Sequence, residues 1–189
     1  MNPEELNQLF YAASRELPEQ PFMRTLEPFL PEPGRALDFG AGVGKEAAWL
    51  IARGWDVTAV ECDQTAHHDL RSNAPAAEVV CNLAAVQGEF DLVLACFSLF
   101  YPGEESLAES WCRLMGLTKP GGILAGQLLG ERDSWADWAR TATRAEVESF
   151  FAGHERLHDE EVCRDGKTAF GVAKTWHVHH FVLRTSKTR

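Results

Sequence analysis

Apolar runs and amphipathic segments alternate along the chain up to about residue 155, and this pattern predicts strands separated by helices. The segment 90–97 is almost entirely apolar, which is typical of a strand buried on both faces of a sheet. Such alternation favours an α/β fold in which helices cover both faces of a mostly parallel sheet. The predicted strands are 35–39, 55–61, 77–81, 90–97, 123–129, 156–164 and 174–184. The predicted helices are 45–53, 65–72, 104–117 and 144–151.

The first 30 residues differ from the rest, because their pattern predicts one or two amphipathic helices broken at Pro18 and Pro21. The connection 82–89 is too short for a full helix, so we expect a turn or a single helical turn there. Further turns are predicted at 31–34, 119–122 and 165–168. We expect a single domain over residues 1–189, with a helical segment 1–33 before an α/β core 34–189.

Charge and composition narrow the possible partners. The 189 residues carry a net charge of -10, and no basic stripe is present that could neutralise nucleic-acid phosphates or bind an anionic membrane. The longest uncharged run lies between Asp91 and Glu104 and is too short to span a bilayer. The first residues lack the pattern of a secretion signal. We therefore expect a cytoplasmic protein that binds neither nucleic acid nor membrane.

The five cysteines are an odd number and include no CxxC pair. Most of them lie in apolar, strand-like stretches. We expect reduced, buried thiols, as in a cytosolic protein.

A glycine-rich loop follows the first predicted strand and carries the strongest chemical signal. Asp38 ends the strand, and Gly40, Gly42 and Gly44 lead into a helix. The spacing is G-x-G-x-G, whereas dinucleotide-binding loops have G-x-G-x-x-G, and an acid before the loop would repel a pyrophosphate. An acid there suits a cationic ligand such as S-adenosylmethionine, which carries a sulfonium and an ammonium. Glu61, at the end of the second strand, is placed to accept hydrogen bonds from ribose hydroxyls.

Residues 34–131 resemble the class I S-adenosylmethionine-dependent methyltransferases. The resemblance rests on four segments, DFGAGVG, VTAVE, FDLVLACFSLF and LTKPGGILAGQLLG. More loosely, the chain is similar to small bacterial methyltransferases of the tellurite-resistance and thiopurine types. The family implies a Rossmann-like, doubly wound sheet of seven strands in three αβα layers. Its strand order is 3-2-1-4-5-7-6, and the last strand is antiparallel.

The resemblance also implies which residues bind the cofactor. The glycine loop would hold the methionine part, Glu61 the ribose and Cys62 the adenine. Asn82 and Leu83 would meet the edge of the adenine, although many relatives have Asp at the position of Asn82. Segment 1–33 would fold over the cofactor as a lid, with a helix that only packs against the core as the alternative. The complete predicted set is Asp38, Gly40, Ala41, Gly42, Gly44, Glu61, Cys62, Asn82, Leu83, Cys96 and Phe97.

Candidates for the substrate site follow the fourth and fifth strands: Phe97, Ser98, Tyr101, Gln127, Arg132, Asp133 and Trp135. Arg132, Asp133 and His177 are candidates for direct participation in the reaction. Arg132 and Asp133 lie in a predicted loop that mixes charges with an aromatic residue, although Asp133 could instead cap a short helix. His177 is a candidate acid or base beside Trp176. It shares one strand face with His179, but the spacing of histidines and cysteines predicts no metal site.

These features lead to a small-molecule methyltransferase that converts S-adenosylmethionine to S-adenosylhomocysteine. The acceptor would be a thiol, a metalloid oxyanion or an amine, and the protein a monomer or a homodimer. A protein that binds either sulfur ligand without turnover is an alternative. An NAD-dependent oxidoreductase is a second alternative, opposed by the glycine spacing. Nucleobase methyltransferases are disfavoured because their motif after the fourth strand is replaced by Ala95-Cys96-Phe97-Ser98.

Overall fold

The computed structural model describes residues 3–103 and 105–187, which fold around one twisted sheet. The helices are α1 (Pro3–Ser14), α2 (Phe22–Leu26), α3 (Lys45–Ile51), α4 (His67–Asn73), α5 (Leu107–Leu117) and α6 (Arg144–Phe151). The strands are β1 (Arg35–Phe39), β2 (Asp56–Val60), β3 (Glu78–Val80), β4 (Phe90–Ala95), β5 (Thr118–Gly130), β6 (Thr141–Ala142), β7 (Glu155–Lys167) and β8 (Ala173–Arg184). Single 3₁₀ turns span Glu27–Phe29 and Leu83–Ala85.

The strand order along the sheet is β3-β2-β1-β4-β5-β8-β7. Strands β1 to β5 pair in parallel, and β8 is antiparallel to both of its neighbours, β5 and β7. The short β6 pairs in parallel with the end of β5 and was not predicted. Without β6, this is the expected order of seven strands, so the predicted doubly wound topology is confirmed.

Apolar side chains of successive residues in β4 enter two separate cores, one on each face of the sheet. Leu92 and Leu94 pack into the core formed with α2, α3 and α4. Val93 and Ala95 pack into the core formed with α5, α6 and the inner part of β8. The three-layer arrangement follows directly, because a strand covered by helices on both faces must be apolar throughout.

The later helices begin at capping boxes. Ser106 accepts a hydrogen bond from the amide of Glu109, whose carboxylate accepts one from the Ser106 amide at 2.7 Å. Thr143 and Glu146 repeat this arrangement at the start of α6. Helix α5 therefore starts at Leu107, whereas the predicted start at Glu104 lies outside the described residues. Over 3–103 and 105–187, no helix is both long enough and apolar enough to cross a membrane.

Two predicted turns lie within strands. The segment 119–122 belongs to β5, where Gly121 has a φ of 79° and the pairing with β4 shifts between Phe90 and Leu92. The strand thus absorbs the irregularity as a bulge. The segment 165–167 extends β7, so the hairpin turn lies at 168–172 instead of 165–168.

The cysteine prediction was only partly correct. All five thiols are free, as expected. However, Cys62, Cys81, Cys112 and Cys163 are exposed, since they lie after strand ends or on outward faces. Only Cys96 lies partly within the fold.

Candidate functional site

The glycine loop joins β1 to α3 and lies at the carboxyl edge of the sheet. Gly40 has a φ of 73°, and a Cβ on it would lie 2.3 Å from the Cβ of Ser98. Gly44 has a φ of 82°, and a Cβ there would lie 3.2 Å from the Cα of Leu70. Left-handed backbone and close packing both require glycine at these two positions. The loop can therefore pass between the segment after β4 and α4, with Gly40 exposed at the edge of the sheet and residues 41–44 buried.

Glu61 is attached directly to this loop. Its carboxylate accepts hydrogen bonds from the amides of Gly42, at 2.7 Å, and Asp63, at 2.8 Å. The side chain is 6% exposed. The amides of Gly40 and Ala41 also donate to the carbonyl of Val60, at 2.8 and 3.0 Å. The end of β2 and the glycine loop thus form one connected unit.

Three carboxylates lie close together around the loop: those of Asp38, Glu46 and Glu61. Burial, followed by repulsion from Glu46 and Glu61, raises the pKa of Asp38 well above its usual range. Burial also raises the pKa values of Glu46 and Glu61. Oδ2 of Asp38 is buried without a hydrogen-bond partner. Within the part of the chain that the structure describes, no lysine, arginine or histidine forms an ion pair with any of the three. Lys45 acts favourably on Glu46 and His67 on Glu61, but both effects are smaller than that of burial.

The N-terminal segment contacts α3 and α4 beside the three carboxylates. Arg15 pairs with Asp69 of α4 at 2.8 Å, and its carbonyl accepts a hydrogen bond from Lys45 at 2.9 Å. A Cβ on Gly42 would lie 3.6 Å from the Tyr11 ring. Burial, and then the charges of Glu61 and Asp63, raise the pKa of the Tyr11 phenol. Tyr11 therefore lies beside both the loop and the acid at the end of β2.

The predicted adenine-binding residues follow β2 and β3. Asn82 uses its side-chain oxygen to accept a hydrogen bond from the amide of Ala84 at 2.8 Å, which caps the 3₁₀ turn that begins at Leu83. Nearby, Nε2 of His67 lies 2.7 Å from the carbonyl oxygen of Glu61. A cavity opens beside them, and Cys62 is exposed after β2. The residues that line the cavity are Gln64, His67, His68, Arg71 and Cys81.

The backbone is strained directly after β4. Phe97 has a φ of 48°, a conformation that costs free energy in a residue with a bulky side chain and that occurs often at functional sites. Its amide donates to Oε1 of Gln127 at 3.1 Å. Gln127 is 1% exposed and its Nε2 has no partner, and Oγ of Ser98 is also buried without one. Burial raises the pKa of the Cys96 thiol well above its usual range, so the thiol stays neutral.

Asp133 is almost entirely enclosed, with 3% of its surface exposed. Its Oδ1 contacts the ammonium of Lys174 and accepts a hydrogen bond from the amide of Trp135 at 2.9 Å. Its Oδ2 accepts from the amide of His177 at 3.1 Å. Both oxygens are therefore occupied by donors of the protein. This geometry favours a role in holding the loop after β5 over direct proton transfer.

His177 lies in a second network on the other side of that loop. Its Nδ1 accepts a hydrogen bond from the amide of Arg132 at 3.0 Å, so Nε2 carries the proton and donates to Glu161 at 2.9 Å. The guanidinium of Arg132 also reaches Glu161 at 3.0 Å. Donor atoms of Glu161, His177 and His179 all lie within 4.8 Å of one another, a spacing that a metal could bridge. However, the protonated Nε2 of His177 has no lone pair for a metal and is hydrogen-bonded to Glu161, while both ring nitrogens of His179 are buried without a hydrogen-bond partner. The sequence does not point to Glu161, because only the pairing of β7 with β8 brings this residue opposite His179.

A group of six aromatic side chains covers the same edge of the sheet. It includes three of the predicted substrate-site residues, Phe97, Tyr101 and Trp135, but the full group was not predicted. We call it the aromatic cluster. Its members come from the segment after β4, the segment after β5 and the beginning of β8. The ammonium of Lys174 lies 4.0 Å from the ring centre of Trp135 and 4.3 Å from that of Trp176. The aromatic cluster consists of Phe97, Phe100, Tyr101, Trp135, Trp138 and Trp176.

Comparison with known proteins agrees with this geometry. Residues 37–126 match the sequence model of a methyltransferase domain. A comparison with curated proteins gives no match. Among solved structures, TehB from Haemophilus influenzae has a TM-score of 0.73 at 14% identity over 87% of this chain, which spans 61% of the TehB chain. The 1,6-didemethyltoxoflavin-N1-methyltransferase of Burkholderia thailandensis has a TM-score of 0.68 at 19% identity. The matched region covers 98% of this chain and 91% of the Burkholderia chain. A TehB-like methyltransferase from Corynebacterium glutamicum has a TM-score of 0.66 at 16% identity. The matched region covers 98% of this chain and 100% of the Corynebacterium chain.

The doubly wound sheet is the fold of these methyltransferases, and within it residues 37–126 match a methyltransferase domain. The Burkholderia thailandensis enzyme contains S-adenosylhomocysteine, as does the N-methyltransferase NodS of Bradyrhizobium japonicum. The residues of this chain fit such a cofactor, because the buried oxygen of Asp38 has no hydrogen-bond partner and can accept from the ammonium group of the ligand.

Proposed function

We propose that this enzyme transfers a methyl group from S-adenosylmethionine to a small molecule with a thiol, metalloid oxyanion or amine group. One observation carries the proposal: Asp38, whose buried Oδ2 has no hydrogen-bond partner, lies with Glu46 and Glu61 around the glycine loop, and none of the three forms an ion pair within the described residues. A sulfonium and an ammonium would supply the missing positive charge. The pyrophosphate of NAD would add negative charge, which argues against the oxidoreductase alternative.

The cofactor site is proposed to run along the carboxyl ends of β1, β2, β3 and β4. When bound, the cofactor supplies an electrophilic methyl group, so the protein has to bind and orient rather than to provide a nucleophile. Glu61 can accept from ribose hydroxyls because each of its oxygens uses only one lone pair on a backbone amide. Residues proposed to contact the cofactor are Asp38, Gly40, Ala41, Gly42, Gly44, Glu61, Cys62, Asn82, Leu83, Cys96 and Phe97.

Arg132, Asp133 and His177 are proposed to act as positioning residues at the acceptor end of the site. Asp133 joins the loop after β5 to β8 through Lys174 and the amide of His177. His177 fixes the amide of Arg132 and is itself fixed by Glu161. The two networks hold the loop next to the aromatic cluster, so the acceptor would meet a rigid surface.

The remaining proposals concern the whole chain. We take residues 1–189 as one methyltransferase domain in which the segment 1–33 acts as a lid over the cofactor. The contacts of Tyr11 and Arg15 with the loop and with α4 support that role. The net charge of -10 supports a small-molecule acceptor rather than a nucleic acid or a membrane. We further propose that the protein is located in the cytoplasm and is a monomer or a homodimer.

Calorimetric titration with S-adenosylmethionine, S-adenosylhomocysteine and NAD tests the proposal. Micromolar binding of both sulfur ligands without binding of NAD is the expected result. Transfer of a labelled methyl group to members of the three acceptor classes then separates an enzyme from a protein that binds the cofactor without turnover. If neither sulfur ligand binds, the proposed site is wrong.

A further inference from the structure

We infer that His180, rather than His177, is the base that removes a proton from the methyl acceptor. The inference rests on the proposed function and deepens it, because it adds a catalytic residue and requires an acceptor that carries a proton at the reacting atom. It depends on the face of β8 from which His180 projects, on the free nitrogens of its ring and on the polar groups around it.

His180 projects from the face of the sheet that α2 and α3 cover. Its ring stacks on Phe22 of α2, with 5.9 Å between the centroids, and meets the ring of Phe97 edge-on at 6.4 Å. Asp38 lies on this same side, because its carboxylate faces α3. Successive side chains of a strand alternate between its faces, so His177 projects from the other one. His180 therefore shares its face of the sheet with Asp38, and His177 does not.

Gln127 lies beside His180 and connects it to the end of β4. The two residues are directly opposite in the pairing of β5 with β8, so their side chains share a face. Oε1 of Gln127 accepts a hydrogen bond from the amide of Phe97 at 3.1 Å, and its Nε2 is buried without a partner. Phe97 is proposed to contact the cofactor. An acceptor bound between Phe97 and His180 would thus meet both a hydrogen-bond donor and a base next to the cofactor.

The ring nitrogens of His180 are free to take a proton. Within residues 3–103 and 105–187, neither nitrogen forms a hydrogen bond or an ion pair, and the residue is only partly buried. The two nitrogens of His177 are both occupied, one by the amide of Arg132 and the other by Glu161. A base needs a lone pair that the acceptor can reach, and of these two histidines His180 provides it.

The surroundings keep the imidazole of His180 neutral. Burial lowers its pKa, since α2 and β5 present uncharged side chains to the ring. Glu160, directly opposite on β7, acts against this effect. Further charges that act on the ring, from His158, Arg164 and His179, lower the pKa again. A neutral imidazole at pH 7 can accept a proton and return it to water between turnovers.

Other titratable side chains near Phe97 are less suited to this role. Burial is the main cause that raises the pKa values of the Cys96 thiol and the Tyr101 phenol, so both stay protonated at pH 7. Asp38 is proposed to hold the ammonium of the cofactor. His180 is therefore the available base among these groups.

The methyl transfer balances with His180 as the base. The sulfur or nitrogen of the acceptor forms the new bond to the methyl carbon, and the electron pair of the broken S–CH₃ bond stays on the sulfur of the cofactor. The proton of the acceptor passes to a ring nitrogen of His180, and Glu160 stabilises the resulting imidazolium until it releases the proton to water. A thiol or an amine supplies such a proton, whereas a fully ionised metalloid oxyanion does not, so the first two acceptor classes are favoured.

The first test asks whether His180 lies near the reacting group, and it needs no acceptor. The full chain with isotope-labelled histidine is titrated by NMR, once with S-adenosylhomocysteine bound and once with sinefungin. Sinefungin is a cofactor analogue that carries an ammonium group in place of the methyl-bearing sulfonium. It is expected to lower the pKa of His180 further than S-adenosylhomocysteine does, because like charges repel. The signal of His154, which precedes β7 at the opposite edge of the sheet, should titrate identically in both complexes. Equal pKa values of His180 in the two complexes would overturn the inference.

The second test separates a base from a structural residue. His180→Gln is expected to bind S-adenosylhomocysteine normally but to transfer methyl groups to β-mercaptoethanol about a hundredfold more slowly, because this thiol is protonated at pH 7. The loss should be much smaller with thiophenol, which is largely ionised at that pH. With β-mercaptoethanol, the rate of the unmodified protein should level off with rising pH once His180 is neutral. The rate of His180→Gln should keep rising as the thiol itself ionises.

His154→Gln is the matched control and should keep the full rate. Equal losses for the two thiols, or an unchanged rate in His180→Gln, would overturn the inference. If the unmodified protein binds neither S-adenosylhomocysteine nor sinefungin, the proposed function is wrong. If it binds both and His180 does not respond to the charge of sinefungin, only the present inference is wrong.

Discussion

The carboxylate of Glu61 accepts a hydrogen bond from the amide of Gly42 at 2.7 Å, across a separation of 19 residues. The parallel pairing of β1 with β2 brings the two together, because Phe39 lies opposite Val60 at the ends of these strands. The contact holds the glycine loop against the acid that is proposed to bind the ribose. Cofactor binding therefore needs little rearrangement at this point.

Replacing Glu61 with Ala should weaken S-adenosylmethionine binding by about 1–3 kcal/mol, because the Gly42 amide and the ribose hydroxyls lose an acceptor. Glu61→Gln should give a smaller loss, since the amide oxygen can still accept one hydrogen bond. Isothermal titration calorimetry measures both changes. Glu78→Gln, an exposed carboxylate on β3, is the control and should bind normally. Unchanged affinity in Glu61→Ala would remove this residue from the cofactor site.

Replacing Asp38 with Asn should stabilise the protein without cofactor while weakening cofactor binding. The folded-state pKa of Asp38 is raised, so its stabilising contribution is present below the unfolded pKa and lost as pH rises through the folded value. At pH 7 the neutral amide of Asn avoids this loss, so the free energy of unfolding of the cofactor-free protein is expected to increase by roughly 0.5–2 kcal/mol. Thermal unfolding with and without S-adenosylmethionine measures both effects. A lower melting temperature in the cofactor-free variant would contradict the prediction.

Cofactor binding should release protons under mildly acidic conditions. The pKa values of Asp38, Glu46 and Glu61 are raised in the free protein, and a bound cation lowers them by favouring the charged carboxylates. Affinity should therefore fall as pH decreases from about 7 to about 5. Calorimetry at one pH in two buffers of different ionisation enthalpy detects the released protons. An observed enthalpy that is the same in both buffers across this range would show that the carboxylates are already charged.

The buried pair of Asp133 and Lys174 should show strong coupling. Asp133→Asn leaves the Lys174 ammonium without its counter-ion, and both side chains are at most 1% exposed, so a loss of about 3–5 kcal/mol in unfolding free energy is expected. The double variant Asp133→Asn, Lys174→Met should recover much of this loss. Denaturant unfolding of both single variants and of the double variant measures the coupling. Simple additivity would mean that the two residues act independently.

His179 should make the fold sensitive to acid. Both ring nitrogens are buried without partners, and burial lowers the pKa of the imidazole. Below about pH 6.5 the imidazole binds a proton in the unfolded chain but not in the folded protein. The free energy of unfolding therefore decreases as the pH is lowered. His179→Leu should reduce the difference between unfolding free energies at about pH 7 and pH 5.5, whereas the exposed His68→Ala should not. An unaltered pH dependence in His179→Leu would assign the acid sensitivity to other groups.

Local spacing made the fold and the loop predictable from the sequence. Alternating apolar segments determine where strands and helices form, and each strand end brings its next residue to the same edge of the sheet. Asp38, the glycines and Glu61 all lie within one turn of such an end, so their grouping follows from their positions in the chain. The family resemblance supplied the strand order, which periodicity alone does not determine.

The acceptor end could not be predicted in the same way, because it depends on partners that are distant along the chain. Asp133 meets Lys174 across 41 residues, and His177 meets Arg132 across 45. Both contacts depend on the register of β8 against β5 and β7. Glu161 joins them only because the hairpin register sets it opposite His179. The same reason explains why Phe100, Trp138 and Trp176 were not predicted as members of the aromatic cluster, since its rings come from three separate segments.

The uncompensated carboxyl group of Asp38 also affects the lifetime of the protein. A ligand that binds only the folded chain raises the unfolding free energy according to its concentration relative to its dissociation constant. Chains without cofactor would open more often and be degraded sooner, whereas chains with cofactor would persist. The abundance of this enzyme in a cell should therefore follow the supply of S-adenosylmethionine, without any separate regulator.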